Sequence, residues 1–133
     1  MKLPVTKTRV QVRYSDTDAM GHISSGSYVT FMQVGRLDFF REITRLCGHD
    51  ENMVVANIHI DYFQECLYGD DIDVVTWCSR VGTKSINIGS EIFANGRLVA
   101  KGSSVHVGFD AQTRKSKALP AGWEASDYVE AER

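Results

Sequence analysis

The chain of 133 residues has only two prolines and three cysteines, and its charges nearly cancel. Fifteen Lys and Arg against seventeen Asp and Glu leave a net charge of −2, which argues against a nucleic-acid or anionic-membrane partner. The longest stretch without a charged side chain, residues 19–35, contains four serine or threonine residues and is too polar to span a membrane. The length suits a single domain over residues 1–133.

The cysteines and histidines exclude the common metal sites and disulfide frameworks. Cys47, Cys66 and Cys78 are odd in number and show no CxxC spacing, and no HxxxH pair occurs. The N-terminus also lacks the apolar segment of an export signal. We therefore expect a cytoplasmic protein with free thiols, no metal site and no cofactor.

Apolar residues recur at spacings of three and four over residues 28–46, which is typical of a helix with one buried face. Ser24 or Ser25 is a natural N-cap for this helix, and Gly48 is a natural stop. The sequence thus predicts a long helix over residues 25–47.

Strand patterns surround the helix, and Asn95-Gly96 predicts a tight hairpin. The amphipathic tail after Pro120 is a candidate short helix. One helix covers only one face of a five-stranded sheet, so we expect a second copy of the chain to cover the other face or an edge. The predicted strands are residues 8–14, 53–63, 72–81, 85–93 and 98–109.

The loop before the helix carries Asp16, Asp18, Gly21 and His22. A helix N-terminus presents unpaired N–H groups and about half a positive charge, so it can polarise a carbonyl. A nearby carboxylate can attack that carbonyl or activate a water against it. A thioester requires little more, because its thiol, with a pKa of about 8.5, leaves as a thiolate. The alternative is that both aspartates only form Asx turns in a polar loop.

Residues 13–23, Arg-Tyr-Ser-Asp-Thr-Asp-Ala-Met-Gly-His-Ile, followed by Tyr28 and Arg36, resemble the signature of hotdog-fold acyl-CoA thioesterases. The branch is the one typified by 4-hydroxybenzoyl-CoA thioesterase. The resemblance implies an α+β hotdog fold, in which a five-stranded antiparallel sheet wraps a long central helix. It also implies a homodimer or homotetramer with active sites at the dimer interface. Weaker similarities follow in the same order at residues 60–62, 68–70, 82–85, 99–100 and 119–120.

The resemblance also implies roles for individual residues. Asp18 falls at the position of the catalytic aspartate, and whether it acts as nucleophile or general base is left open. The Ser25 amide falls where the thioester carbonyl is polarised, and Gly21 where the backbone turns tightly beneath the substrate. Lys84 matches a position that contacts the nucleotide part of coenzyme A. Many relatives carry Glu at the position of Gln33, so a second acid is absent here.

Four further residues are candidates for substrate binding. His22 is placed to orient a water, and Tyr28 and His59 are candidates to line an acyl pocket. Arg114, in a short basic stretch, is a candidate partner for the coenzyme A phosphates. Each of these residues has a local structural or solvated surface role as the alternative.

The predicted function is hydrolysis of an acyl-CoA thioester to a free acid and coenzyme A. Two alternatives stay open. One is a hotdog hydratase or dehydratase that uses Asp18 with His22, although their spacing is one residue shorter than that branch's Asp-x4-His arrangement. The other is a protein that binds acyl-CoA without catalysis.

Overall fold

A long helix lies on one face of an antiparallel sheet in the computed structural model, which describes residues 1–132. The strand order across the sheet is β1-β3-β4-β5-β2, and a short β6 pairs with β5. The predicted five strands are thus present, with a two-residue strand added. The elements are β1 (Thr6–Val10), α1 (Ser25–Cys47), β2 (Met53–Tyr62), β3 (Ile72–Val81), β4 (Ser85–Ala94), β5 (Arg97–Asp110) and β6 (Lys115–Ser116).

The helix has the predicted bounds and packs closely on the sheet. It follows the N-cap Ser24 and ends at Gly48, whose φ of +84° lies in the left-handed region that favours glycine. Phe31 and Phe39 are buried against the sheet in two apolar clusters. A Cβ at Gly35 would lie 2.7 Å from a methyl carbon of β3, so glycine allows the close approach of helix and sheet.

The first strand is shorter than predicted. It ends at Val10, and Tyr14, expected in the strand, begins a 3-10 turn instead. The Asp16 carboxylate accepts the backbone N–H of Arg13 at 2.8 Å, which turns the chain away from the sheet. Tyr14 is consequently 80% exposed and packs edge-on against Tyr68.

Strict alternation along the predicted strand 53–63 would place Val54 on the same face as Ile60, and that expectation is wrong at the beginning of β2. A bulge between Val55 and Asn57 shifts the register with β5, so the two halves of the strand alternate in different phases. Met53 and Val55, rather than Val54, therefore face the helix, as Ile60 does further along the strand. The predicted hairpin at residues 95–96 is confirmed by positive φ values at both positions.

The tail after Pro120 does not form the predicted helix within the described residues. Backbone hydrogen bonds between Glu124 and residues 1–3 hold it extended beside the N-terminus. The Tyr128 ring lies on Trp77 at 4.5 Å, and its hydroxyl donates to the buried Glu91 carboxylate at 2.5 Å. The tail thus covers part of the sheet face that the sequence analysis assigned to a second copy.

Candidate active site

A tight turn closes the loop that precedes α1. The Asp18 N–H donates to the His22 carbonyl oxygen at 2.8 Å, and the Gly21 N–H donates to the Asp18 carbonyl oxygen at 3.2 Å. Gly21 has a φ of +78°, which few other residues adopt. The expected turn at Gly21 is therefore present, and it holds the backbones of Asp18 and His22 together.

Asp16 anchors this loop to the helix and is only 2% exposed. Its Oδ2 accepts the Arg13 backbone N–H at 2.8 Å, and its Oδ1 accepts Arg13 Nη2 and the Ser27 hydroxyl, each at 3.1 Å. Burial alone would raise the pKa of Asp16, but the hydrogen bonds from Arg13 and Ser27 lower it below its ordinary value. Both oxygens of Asp16 are thus engaged in structure.

Asp18 is exposed, and only one of its carboxylate oxygens is engaged. Oδ1 accepts the Met20 N–H at 2.8 Å and the His22 N–H at 3.1 Å. No group of residues 1–132 donates to Oδ2. The Asx-turn interpretation and the catalytic one are therefore compatible, because Oδ1 forms the turn while Oδ2 is available to substrate.

The tip of α1 presents a free amide on Ser25. The Ser24 N–H donates to the Asp16 carbonyl oxygen at 2.8 Å, and the Ser27 N–H donates to the Ser24 carbonyl oxygen at 3.0 Å. Over the described range, the Ser25 N–H has no acceptor, as is normal in the first turn of a helix. The Tyr62 hydroxyl donates to the Ser25 carbonyl oxygen at 2.7 Å and ties this turn to β2.

Asp18 and Ser25 line one cavity of about 350 Å³, which we call the tip cavity. Tyr28, which is 3% exposed, is one of its lining residues, and the Tyr28 and Tyr62 rings meet edge to face with centroids 5.0 Å apart. Burial first, and a hydrogen bond with the Cys66 thiol second, raise the pKa of Tyr28 and keep it a neutral phenol. The tip cavity is lined by Asp18, His22, Ile23, Ser25, Tyr28, Tyr62, Phe63, Gln64 and Glu65.

His22 lines the tip cavity, but its ring is directed toward a different carboxylate. Its Nε2 lies 3.1 Å from Glu65 Oε2, whereas its contact with the Asp18 carboxylate is made by the backbone N–H. The side-chain pair of Asp18 and His22 that the hydratase alternative requires is not formed within residues 1–132.

Four of the predicted binding residues are absent from the lining of the tip cavity. Gly21 lies in the turn between Asp18 and His22, and the other three lie elsewhere in the fold. Lys84 is in the turn between β3 and β4, and Arg114 is in the turn between β5 and β6. Both turns lie at the end of the sheet where β2 begins, whereas the tip cavity adjoins Tyr62 at its other end. His59 is exposed within β2 and pairs with a neighbouring carboxylate at 3.2 Å. One chain alone does not bring these three residues to Asp18.

Five lining residues of the tip cavity were not predicted as site residues, namely Ile23, Tyr62, Phe63, Gln64 and Glu65. Tyr62 falls within a segment that carries the family resemblance, but nothing in the pattern indicates that its hydroxyl reaches the helix tip. Glu65 belongs to no motif, and its contact with His22 arises because the segment after β2 runs back beside the loop. A bridge between His22 and Leu67 joins the two.

Metal coordination has no support in the described residues. Residues 1–132 contain no group of three or more His, Cys, Asp or Glu side chains placed to hold a metal ion. All three cysteines are free thiols. In the same range, no helix has the length and apolarity that crossing a membrane requires.

The protein family of the chain is shown by a match to a family model. Residues 12–126 match the model of the thioesterase-like superfamily. The chain belongs to this superfamily. The matched range contains the loop, α1 and all of β2 to β6, and therefore the whole of the tip cavity.

Curated members of the superfamily resemble the chain over most of its length. It is 30% identical over 125 residues to the "Putative acyl-CoA thioesterase YneP" of Bacillus subtilis, which covers 87% of this chain and 91% of that protein. It is 25% identical over 119 residues to the long-chain acyl-CoA thioesterase FadM of Escherichia coli, with 85% and 89% covered.

Two solved structures that resemble this chain are also named as thioesterases. A predicted thioesterase from Bacillus stearothermophilus superposes with a TM-score of 0.80 at 32% identity, covering 89% of this chain and 90% of the other. A Thermus thermophilus thioesterase in complex with coenzyme A and Zn superposes with a TM-score of 0.75 at 28% identity, covering 86% and 85%.

Membership confirms two of the expectations drawn from the sequence. The fold is the α+β hotdog fold, and the chain is a thioester hydrolase by family. The narrower 4-hydroxybenzoyl-CoA branch stays a prediction, as do the roles of individual residues.

Proposed function

We propose that this thioesterase hydrolyses an acyl-CoA thioester to a free carboxylic acid and coenzyme A, with the reaction in the tip cavity. The observation that carries the proposal is that two residues of one cavity each have an unengaged polar group. The Asp18 Oδ2 oxygen has no donor and the Ser25 N–H has no acceptor within residues 1–132, and both residues line the tip cavity.

In this proposal the Ser25 N–H receives the thioester carbonyl oxygen. The oxyanion that forms during attack is stabilised there by a fixed N–H donor and by the partial positive charge of the helix N-terminus. Since the amide is fixed before the substrate arrives, little reorganisation accompanies the reaction.

Asp18 supplies the attack in one of two ways. As a general base, it takes a proton from a water that adds to the carbonyl carbon. As a nucleophile, Oδ2 adds to the carbon and forms a mixed anhydride that water then hydrolyses. In both routes the carbon–sulfur bond breaks, coenzyme A leaves as a thiolate, and one water is consumed. The two backbone N–H bonds to Oδ1 hold the carboxylate in place either way.

Coenzyme A as the leaving group is supported by the relatives. Acyl-CoA thioesterases are named among the curated proteins that match, and the Thermus thermophilus neighbour is a complex with coenzyme A. Arg114 and Lys84 remain the proposed partners of its phosphate and nucleotide parts.

Lys84 and Arg114 lie at the opposite end of the sheet from the tip cavity, so in this proposal they serve the site of a second copy of the chain. β2 is a ten-residue edge strand, and apolar side chains on it are 40% to 48% exposed, as is typical of a strand that pairs with another chain. Antiparallel pairing of β2 with its copy would bring the Lys84 and Arg114 end of one chain beside the tip cavity of the other. We therefore propose a homodimer, or a tetramer built from it, with sites at the interface.

The test is the hydrolysis of a panel of acyl-CoAs, followed by release of free thiol, with wild-type and Asp18→Asn protein. The asparagine keeps an Oδ1 acceptor for the turn but removes the charge, so we expect turnover to fall by at least about a hundredfold with the fold intact. The control is Asp127→Asn, which removes an 83% exposed carboxylate from the tail.

Normal hydrolysis by Asp18→Asn would refute the role of Asp18. Saturable binding of acyl-CoA by the wild type without thiol release would refute catalysis and favour the binding-protein alternative. Crotonyl-CoA, monitored by its enoyl absorbance, separates hydration from hydrolysis.

A further inference from the structure

A tyrosine at the end of β2 ties the first turn of α1 to the sheet. The Tyr62 hydroxyl donates to the Ser25 carbonyl oxygen at 2.7 Å, between residues that are 37 positions apart in the chain. Ser25 is also the residue whose N–H is the proposed oxyanion donor. Tyr62 therefore contacts the proposed site through the residue that carries its amide donor.

Tyr62 itself is held by a closely packed part of the sheet. Its backbone pairs with Ala100 of β5, and Ala100 pairs with Ile92 of β4. Ala100 and Ile92 are fully buried, and close-packed interiors deform little. On the helix side, the Tyr62 ring meets the ring of Tyr28 edge to face. The sheet and the helix thus fix the position of the hydroxyl before any substrate binds.

Hydrogen bonds hold the peptide groups on both sides of the Ser25 α-carbon. The peptide group that contains the Ser25 N–H also contains the Ser24 carbonyl oxygen, which accepts the Ser27 N–H at 3.0 Å. The next peptide group contains the Ser25 carbonyl oxygen, which accepts the Tyr62 hydroxyl. Peptide groups are planar, so the two bonds together limit rotation about the α-carbon between them. This restraint matters because helix ends fray more readily than helix interiors.

We propose that Tyr62 is a positioning residue of the hydrolysis: its hydroxyl holds the first turn of α1 so that the Ser25 N–H stays directed at the thioester carbonyl. The inference rests on the proposed function, because Tyr62 acts through the Ser25 amide. A donor that is already fixed requires no reorganisation when the oxyanion forms. A small displacement of such a donor can remove a large part of the rate enhancement.

The engagement of the Tyr62 hydroxyl argues against a direct catalytic role. A phenol has a single O–H to donate, and the Ser25 carbonyl oxygen already accepts it. That hydrogen is therefore not free for the substrate carbonyl. Nor does the leaving group require a general acid, because a thiol with a pKa of about 8.5 leaves as a thiolate. A purely structural role is the remaining alternative, and it predicts a loss of stability without a loss of turnover.

The test is the steady-state kinetics of Tyr62→Phe with an acyl-CoA that the wild type hydrolyses, followed by release of free thiol. Phenylalanine keeps the ring and removes only the hydroxyl. We expect kcat to fall about tenfold while KM stays within about twofold of the wild-type value, because the lost restraint acts in the transition state. The matched control is Tyr68→Phe, at a 55% exposed tyrosine whose hydroxyl has no hydrogen-bond partner within residues 1–132. Unchanged kcat in Tyr62→Phe, or a rise in KM alone, would overturn the proposal.

A double variant shows whether Tyr62 acts through the Ser25 amide. Ser25→Pro removes the N–H, so adding Tyr62→Phe to it should cause no further fall in kcat. A further fall of about tenfold would mean that Tyr62 acts independently of that amide, which would overturn the proposal. Full turnover by Ser25→Pro would refute the oxyanion site itself and the role of Tyr62 with it. Full turnover by Tyr62→Phe alone would refute only the role of Tyr62.

Backbone NMR relaxation gives a measurement that requires no turnover. A rigid amide has an order parameter of about 0.85, and we expect the Ser25 amide to approach that value in the wild type and in Tyr68→Phe. In Tyr62→Phe the order parameter of Ser25 should be clearly lower, because the restraint on its carbonyl is gone. An unchanged order parameter in Tyr62→Phe would contradict the proposal even if its turnover fell.

Discussion

Two cavities along α1 each contain a charged side chain, and the two side chains differ in how much of their surface is exposed to water. In the tip cavity the Asp18 carboxylate is exposed, and backbone N–H groups fix one of its oxygens. In a second cavity, which lies between α1 and the beginning of β2, the Arg36 guanidinium is buried and has no hydrogen-bond partner in the described chain. The exposed charge has little structural cost and is free for chemistry, whereas a buried charge is costly unless a partner is supplied.

The two aspartates of the loop show the same contrast at short range. Asp16 is buried and fully hydrogen-bonded, while Asp18 is two residues away and keeps one oxygen free. Burial together with hydrogen-bond count therefore separates a structural carboxylate from a candidate catalytic one. The following predictions test that separation.

The largest effect is expected from Ser25→Pro. Proline lacks the N–H and suits the first position of a helix, and the extended Ser24 backbone (φ −69°, ψ 148°) accepts a following proline. The change therefore removes the proposed oxyanion donor without breaking α1. We expect turnover of acyl-CoA to fall by about 10²- to 10³-fold, as measured by thiol release.

Ser25→Ala is the matched control because it keeps the N–H and removes only the hydroxyl. It should retain nearly normal turnover. If Ser25→Ala loses as much activity as Ser25→Pro, the hydroxyl rather than the amide acts on the substrate. If neither variant loses activity, the helix tip is not the oxyanion site.

The next largest effect is expected from Asp16→Asn, measured by urea unfolding. Its charged hydrogen bonds with Arg13 and Ser27 are lost or weakened inside a buried site, so we expect the free energy of unfolding to fall by about 2 kcal/mol. Asp18→Asn is the control in the same loop, and it should leave stability unchanged. Equal losses in both variants would remove the distinction between the two aspartates.

The pH dependence of stability gives an independent test of Asp16. The folded state lowers the pKa of Asp16 below its ordinary value of 3.8. The ionised carboxylate therefore contributes its full stabilisation above about pH 4 and loses it as the pH falls through the lower folded-state pKa. The unfolding free energy of the wild type should decline over that acidic range more steeply than that of Asp16→Asn. Parallel curves would contradict the assignment.

The smallest effect is expected from Arg36→Met in the absence of ligand, and it has the opposite sign. Removal of an unpaired buried charge should raise the free energy of unfolding by about 1 kcal/mol, since methionine preserves most of the packing. The exposed Arg41→Met should show no measurable change. A clear destabilisation by Arg36→Met would mean that the guanidinium has a partner in the folded protein.

Local patterns predicted the helix and the hairpin well, because both depend on nearby residues. The bounds of α1 follow from apolar spacing and from Gly48, and the turn at residues 95–96 follows from the Asn-Gly pair. Elements that depend on distant partners were predicted less well. The bulge near Val55 is set by pairing with β5, and the tail is held by the N-terminus and by Glu91.

The residues of the candidate site differ in the same way. Some were predictable from neighbouring residues, and others depend on distant parts of the chain. Asp18, Gly21 and Ser25 lie within ten residues of the chain, so one motif indicated all three. The contact of Tyr62 with the helix tip depends on where β2 ends, 37 residues along the chain. The burial of Arg36 depends on the positions of β2 and β5, so a helical pattern that contains an arginine could not reveal an unpaired charge.

A crystal structure with an acyl-CoA analogue, in which a methylene replaces the thioester sulfur, tests the tip cavity most directly. The carbonyl oxygen is expected at about 2.7–3.1 Å from the Ser25 nitrogen, with Asp18 Oδ2 facing the carbonyl carbon directly or through one water. A carbonyl bound outside the tip cavity, or a Ser25 N–H left without contact in a fully occupied complex, would contradict the proposed site.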